Sequence, residues 1–233
     1  MGMAILFRDF TNVNLFYQAM IELAKAPGDE MIISSGYFKP DVIDNEFKSS
    51  LTKGFRDPKN AKITVIGGAW KDHNISANNC SQKKNVKFDE YCWECGFEDF
   101  WRKLERAIKP IKLEYTNIPF ELGEKWHGKI TLKLKKDSNN LGVIGAIIGS
   151  SNMTPSAFYP DAKYWNSECD IFLWDDTVFT PSIIKKYTKP NKQGLKIGLP
   201  LAIEVNPLHF EAQDLLNNLY EEIKNETTIW NLE

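Results

Sequence analysis

His127-Gly128-Lys129 is followed along the chain by Gly149-Ser150-Ser151-Asn152 and then by Glu168. These residue types are the set needed to hold a phosphodiester and attack it without a metal. A neutral imidazole is a competent nucleophile near neutral pH, and a protonated one can hand its proton to a leaving oxygen. A fixed cation and side-chain donors, here Lys129, Ser150 and Asn152, would gather the non-bridging oxygens. A carboxylate such as Glu168 can fix the tautomer of the histidine. Side chains of a strand alternate between faces, so His127 and Lys129 share a side if they share a strand. Ser150 and Asn152 repeat that spacing at the end of the next apolar run.

Strands must carry these groups. Trp126 to Leu134 and Val143 to Ile148 read as a hairpin, with Lys135 to Leu141 as its polar turn. Thr154-Pro155 reads as a helix start, with Thr capping and Pro at the first helical position. Glu168 to Trp174 reads as a final strand of the core. Upstream, Phe16, Ala19, Met20 and Leu23 recur at helical spacing until Pro27-Gly28-Asp29 stops the pattern. Glu30 to Phe38 is an Ile-rich strand with a small-residue corner at Ser34, Ser35 and Gly36. Pro40 to Lys53 is a short helix with Val42, Ile43 and Phe47 inward, and Ala61 to Trp70 is a further strand. Phe97 to Lys109 is an amphipathic helix closed by Pro110, and Ile111 to Thr116 is a strand. This alternation predicts an α/β fold, a layered α/β/α sandwich around a mixed sheet. The catalytic unit spans 1–180, with an inserted polar loop at 71–96. Residues 181–233 form a C-terminal extension ending in a helix near Phe210 to Asn225, which either packs on the core or leads to a further domain.

A length of 233 residues, 42% of them hydrophobic and 26% charged, fits one substantial domain with an ordinary core and a solvated surface. No apolar run approaches a membrane span, and Arg8 and Asp9 interrupt the N-terminus too early for a signal peptide, so the expected location is cytoplasmic. The net charge of -2 does not mark a nucleic-acid binder, yet phosphate contacts are made by a patch rather than by the sum. Lysines gather at Lys83, Lys84 and Lys87, at Lys125, Lys129, Lys133, Lys135 and Lys136, and at Lys185, Lys186, Lys189, Lys192 and Lys196. The middle group surrounds the motif, although most lysines taken singly are solvated surface.

The ordered motifs resemble the phospholipase D superfamily, whose signature is His-x-Lys, a later Gly-Ser-x-Asn and an acidic residue beyond. The resemblance is strong from Trp126 to Trp174. The fuller family pattern has an Asp five residues after the Lys, where this chain has Leu134. Its absence is common in the nuclease branch. The single motif, the Ile32 to Phe38 run and the trailing Glu168 look most like the NgoFVII-type metal-independent restriction endonucleases. The other histidines, His73 and His209, begin no second His-x-Lys motif, so one chain carries half a site. The resemblance implies a homodimer in which two His127 residues face each other across a two-fold axis. One would form a phosphohistidine and the other would protonate the leaving group. It further implies that Lys129 and Asn152 bind the non-bridging oxygens, that Ser150 positions them, and that Glu168 holds the far imidazole nitrogen. No cofactor is implied for catalysis, and the implied partner is DNA, in restriction or another defence role. Asp170, two residues beyond Glu168, competes for that acidic role.

His73, Cys80, Cys92 and Cys95 fall in or beside the polar loop. Four such ligands could close a tetrahedral structural zinc site and order that loop. Equally, Cys92 and Cys95 could be ordinary reduced cysteines at the start of a helix. Two rivals stand beside the nuclease reading. A lipid phosphodiesterase would need an apolar entry, whereas these loops are rich in Lys and Asn. A non-catalytic nucleic-acid-binding module has no need for the complete reactive set.

Overall fold

The computed structural model describes residues 1–7, 14–67, 93–117, 128–138, 140–159, 168–187, 201–205, 217, 220–221 and 228–229. In chain order the elements are β1 (Gly2–Phe7), α1 (Leu15–Lys25), β2 (Glu30–Ser34), a 3-10 turn (Pro40–Val42), α2 (Asn45–Lys53) and β3 (Lys62–Gly67). Then come α3 (Trp93–Ala107), β4 (Lys112–Asn117), β5 (Lys129–Asp137), β6 (Asn140–Gly149) and α4 (Pro155–Phe158). The last are β7 (Cys169–Trp174), α5 (Ser182–Tyr187), β8 (Leu201–Val205) and β9 (Thr228–Ile229). The strands form one nine-stranded sheet in the order β8-β1-β7-β6-β5-β2-β3-β4-β9. β2, β3 and β4 run parallel to one another, and β5, β6, β7 and β1 follow as antiparallel neighbours.

Local chemistry sets the helix boundaries. The Asn14 side chain accepts from the Tyr17 N–H at 2.9 Å and starts α1, and Asp44 does the same for α2 through the Phe47 N–H at 2.7 Å. Pro155 opens α4 as its spacing predicts, but the Thr154 side chain makes no capping bond. Asp44 also receives the hydroxyls of Tyr17 at 2.7 Å and Tyr159 at 3.3 Å. One carboxylate thereby ties α1, the start of α2 and the end of α4 together.

The sheet is covered on both faces. On one, Phe16, Met20 and Leu23 of α1, Phe47 and Leu51 of α2, and Phe97 and Phe100 of α3 pack on Met31, Ile33, Ile63, Val65 and Phe172. On the other, Ile32, Ile66, Ile130, Leu132 and Leu134 form a second cluster, joined by Tyr220. This is the layered arrangement expected from the strand and helix alternation.

Several elements differ from the sequence reading, and the helix expected over Pro40 to Lys53 is split into the 3-10 turn and α2. The β5–β6 hairpin is longer: Lys135, Lys136 and Asp137 pair with Gly142, Leu141 and Asn140 instead of forming a wide turn. Ser138 takes a positive φ of 54°, the left-handed conformation that lets a tight turn reverse a twisted ribbon. β1 is a strand that its short N-terminal run does not announce, and it lies between β7 and β8, one strand in from the border. β7 is not the last strand, because β8 pairs with β1 and β9 with β4. The expected helix at 210–225 lies mostly outside the described residues, and the inserted loop at 71–96 lies outside them up to 92.

The lysine patch also needs correction. Lys133 is fully buried, with 0% exposure. Its ammonium donates to the Ala24 carbonyl at 3.3 Å and stands 3.5 Å above the Phe55 ring. Lys135 pairs with Asp137 at 3.2 Å. A strand advances ~3.3 Å per residue, so Lys136 lies roughly 23 Å along β5 from Lys129. Lys133, Lys135 and Lys136 are therefore strung away from the motif, and Lys125 lies outside the described residues.

Candidate active site

Register brings the two motifs together. Lys129 opens β5 directly opposite Gly149, the last residue of β6, and Gly149 in turn faces Asp170 of β7. Lys129, Gly149 and Asp170 thus form one row across three adjacent strands. The Ser34 hydroxyl donates to the Gly128 carbonyl at 3.0 Å, so β2 holds the residue between His127 and Lys129. His127 itself lies outside the described residues, as do His73, Cys80, Cys92 and His209, and Cys95 is placed only by its backbone in α3.

Glycine at 149 is required by the close approach of β7. A Cβ there would stand 2.1 Å from Asp170 Oδ1 and 2.6 Å from the Cys169 carbonyl oxygen. Gly149→Ala should therefore force β6 from β7 and destabilise the fold by about 2–3 kcal/mol. Thermal melting reads that loss, and a melting temperature equal to wild type would show that the row is looser than drawn.

The loop beyond Gly149 is held residue by residue. Ser150 donates its hydroxyl to Glu168 Oε2, and its Oγ accepts the Cys169 N–H at 3.0 Å. Ser151 donates to Asp170 Oδ2 at 2.6 Å, and its N–H reaches Asp170 Oδ1 at 3.2 Å. Asn152 Oδ1 lies 3.2 Å from the Ser35 hydroxyl. The described members of the predicted set, Lys129, Ser150, Asn152 and Glu168, therefore gather at one end of β5, β6 and β7.

The two acidic candidates separate. Glu168 is partly solvated and joined to Ser150, whereas Asp170 is buried, 2% exposed, beneath Ser151. Burial pushes the Asp170 carboxyl up to about 6, against the lowering pull of the Ser151 and Ser150 bonds and with a further push from Glu168. Burial likewise lowers Lys129, while the charge of Glu168 acts the other way. Leu134, where the fuller family pattern has Asp, is fully buried in the second cluster at the far end of β5. Sequence reasoning did not single out Ser34, Ser35 or Ser151 for the site. The small-residue corner at Ser34 to Gly36 was the one sign of two of them.

No protein-family model matches the chain, and no curated protein does. Among solved structures, phosphatidylserine synthase from Haemophilus influenzae superposes with a TM-score of 0.52 at 15% identity, over 98% of this chain and 40% of that one. The chain shares its fold with that part of the synthase. NucT from Helicobacter pylori matches with a TM-score of 0.45 at 12% identity, over 98% of this chain and 99% of that one. Nuc from Salmonella typhimurium, described as a phospholipase D family member, matches with a TM-score of 0.43 at 11% identity, over 99% and 98%. The chain spans well under half the length of the synthase. Among the described residues, no helix is long and apolar enough to cross a membrane.

Proposed function

We propose that this protein is a metal-independent phosphodiesterase of the phospholipase D superfamily, acting on DNA as an endonuclease in restriction or another defence role. The observation that supports it most is the register that sets Lys129 opposite Gly149, which lays the His-x-Lys and Gly-Ser-x-Asn motifs side by side. Lys129 and the Asn152 amide would take the non-bridging oxygens, and Ser150 would position them. His127 would attack phosphorus, forming an N–P bond as the P–O bond to the leaving strand breaks. His127 of the partner subunit would give that oxygen its proton, then accept one from water as the water attacks and releases the phosphate end. Glu168 already accepts from Ser150 with one oxygen, and the other would hold the far nitrogen of the imidazole.

The decisive measurement is nicking of supercoiled plasmid in excess EDTA, alongside head-group release from phosphatidylcholine and phosphatidylserine vesicles. DNA cleavage should survive chelation, with vesicles untouched. Cleavage abolished by EDTA would overturn the metal-free chemistry, and head-group release without nicking would move the substrate to lipid. Sedimentation at working concentration should show a dimer; a monomer of full activity would remove the shared site.

A further inference from the structure

We propose that Ser35 is a positioning residue that fixes which end of the Asn152 amide meets the substrate; the proposal rests on the phosphodiesterase reading above. Ser35 is fully buried, 0% exposed, in the corner just past β2. Its Oγ accepts the Tyr37 N–H at 3.3 Å and the Met153 N–H at 3.1 Å. Those two N–H groups occupy both acceptor positions of the hydroxyl oxygen. Its one proton is left for the Tyr37 carbonyl at 2.8 Å and Asn152 Oδ1 at 3.2 Å.

That saturation has a directional consequence. If the Asn152 amide were turned over, its NH2 would face an oxygen with no acceptor capacity left. With Oδ1 toward Ser35 the shared proton serves it, and the NH2 points away. The two orientations of an amide have nearly the same shape, so packing alone discriminates poorly between them. Hydrogen-bond chemistry at Ser35 does. The surrounding backbone reinforces the choice: Phe38 and Met153 form a parallel bridge, and the Lys39 N–H donates to the Met153 carbonyl at 2.8 Å. The corner after β2 and the loop after β6 are thereby locked, with the hydroxyl between them. An NH2 held outward by a buried hydroxyl donates to a non-bridging oxygen; an inverted amide would present a carbonyl oxygen to an anion.

A double-mutant cycle tests this on a chromogenic phosphodiester, with kcat and KM measured for wild type, Ser35→Ala, Asn152→Ala and the double variant. Ser35→Ala should lower kcat/KM about 10- to 100-fold, a partial version of losing one oriented donor. In the Asn152→Ala background the same substitution should change it less than threefold. Equal losses in both backgrounds would overturn the proposal, because a merely structural hydroxyl acts regardless of Asn152. Wild-type rates in Asn152→Ala alone would instead overturn the site reading on which the proposal stands. If Ser35→Ala fails to fold, Ser35→Cys, a weak donor and acceptor of similar shape, takes its place in the cycle with the same two outcomes.

Discussion

His127→Ala should reduce plasmid nicking by roughly 10³-fold or more while leaving the melting temperature close to that of wild type. The size follows from the proposed dimer. One substitution removes the nucleophile from one subunit and the proton donor from the other, and the sequence contains no second His-x-Lys motif to take over either role. Phosphate binding, carried by Lys129 and Asn152, should largely survive, so the loss should fall on kcat more than on KM. The wild-type rate should follow a bell-shaped pH profile, because one imidazole must be neutral while its mate is protonated. Acid quenching of wild type with labelled substrate should trap a phosphorylated protein, and His127→Ala should trap none. Undiminished nicking by the variant would place the activity at another site.

Lys133→Met should stabilise the protein by roughly 2–4 kcal/mol at pH 6, with the gain fading toward pH 10. Burial drives the Lys133 ammonium down to about 7, and the charge of Asp29 restores only part of that shift. The folded pKa thus lies below the unfolded one, so between about 7 and the ordinary lysine range the unfolded chain binds the extra proton. Stability accordingly rises with pH through that window in wild type. Below about 7 the fold must carry the charge in a dry setting, relieved in part by the Ala24 carbonyl, the Phe55 ring and the charge of Asp29. Methionine fills similar space with no charge, at the loss of one hydrogen bond. Urea unfolding across pH 6 to 10 should show the wild-type slope and a flatter one in the variant. Parallel curves would mean that Lys133 reaches water.

Lys129 and Lys133 show where the sequence could be read and where it could not. Both lie on the same face of β5, in an alternation of polar and apolar residues from Lys129 to Lys135 that reads as a strand with one wet side. In the fold both sides of β5 are covered, and α1 and the Phe55 ring reach Lys133 but leave Lys129 partly open. Nothing local distinguishes them; distant segments decide. The adjacency of the two motifs was readable because it depends on short-range rules, period-two alternation and a hairpin. The loop's anchors were not, since Ser35 meets Asn152 across 117 positions and Ser151 meets Asp170 across 19. Likewise the rival acids look alike in sequence, and only burial separates Asp170 from Glu168.

The placement of β8 and β9 bears on how the protein is made. Every residue of the candidate site is synthesised before either strand, yet these two strands form the outer borders of the sheet. Until they emerge from the ribosome, β1 and β4 present unpaired backbone groups along their outer rims, a template for joining another chain. Vectorial synthesis therefore leaves a window in which this chain's site residues have all been made while the rims are open. Chaperone dependence and inclusion-body formation should be governed by the last strands to appear, far in sequence from the chemistry.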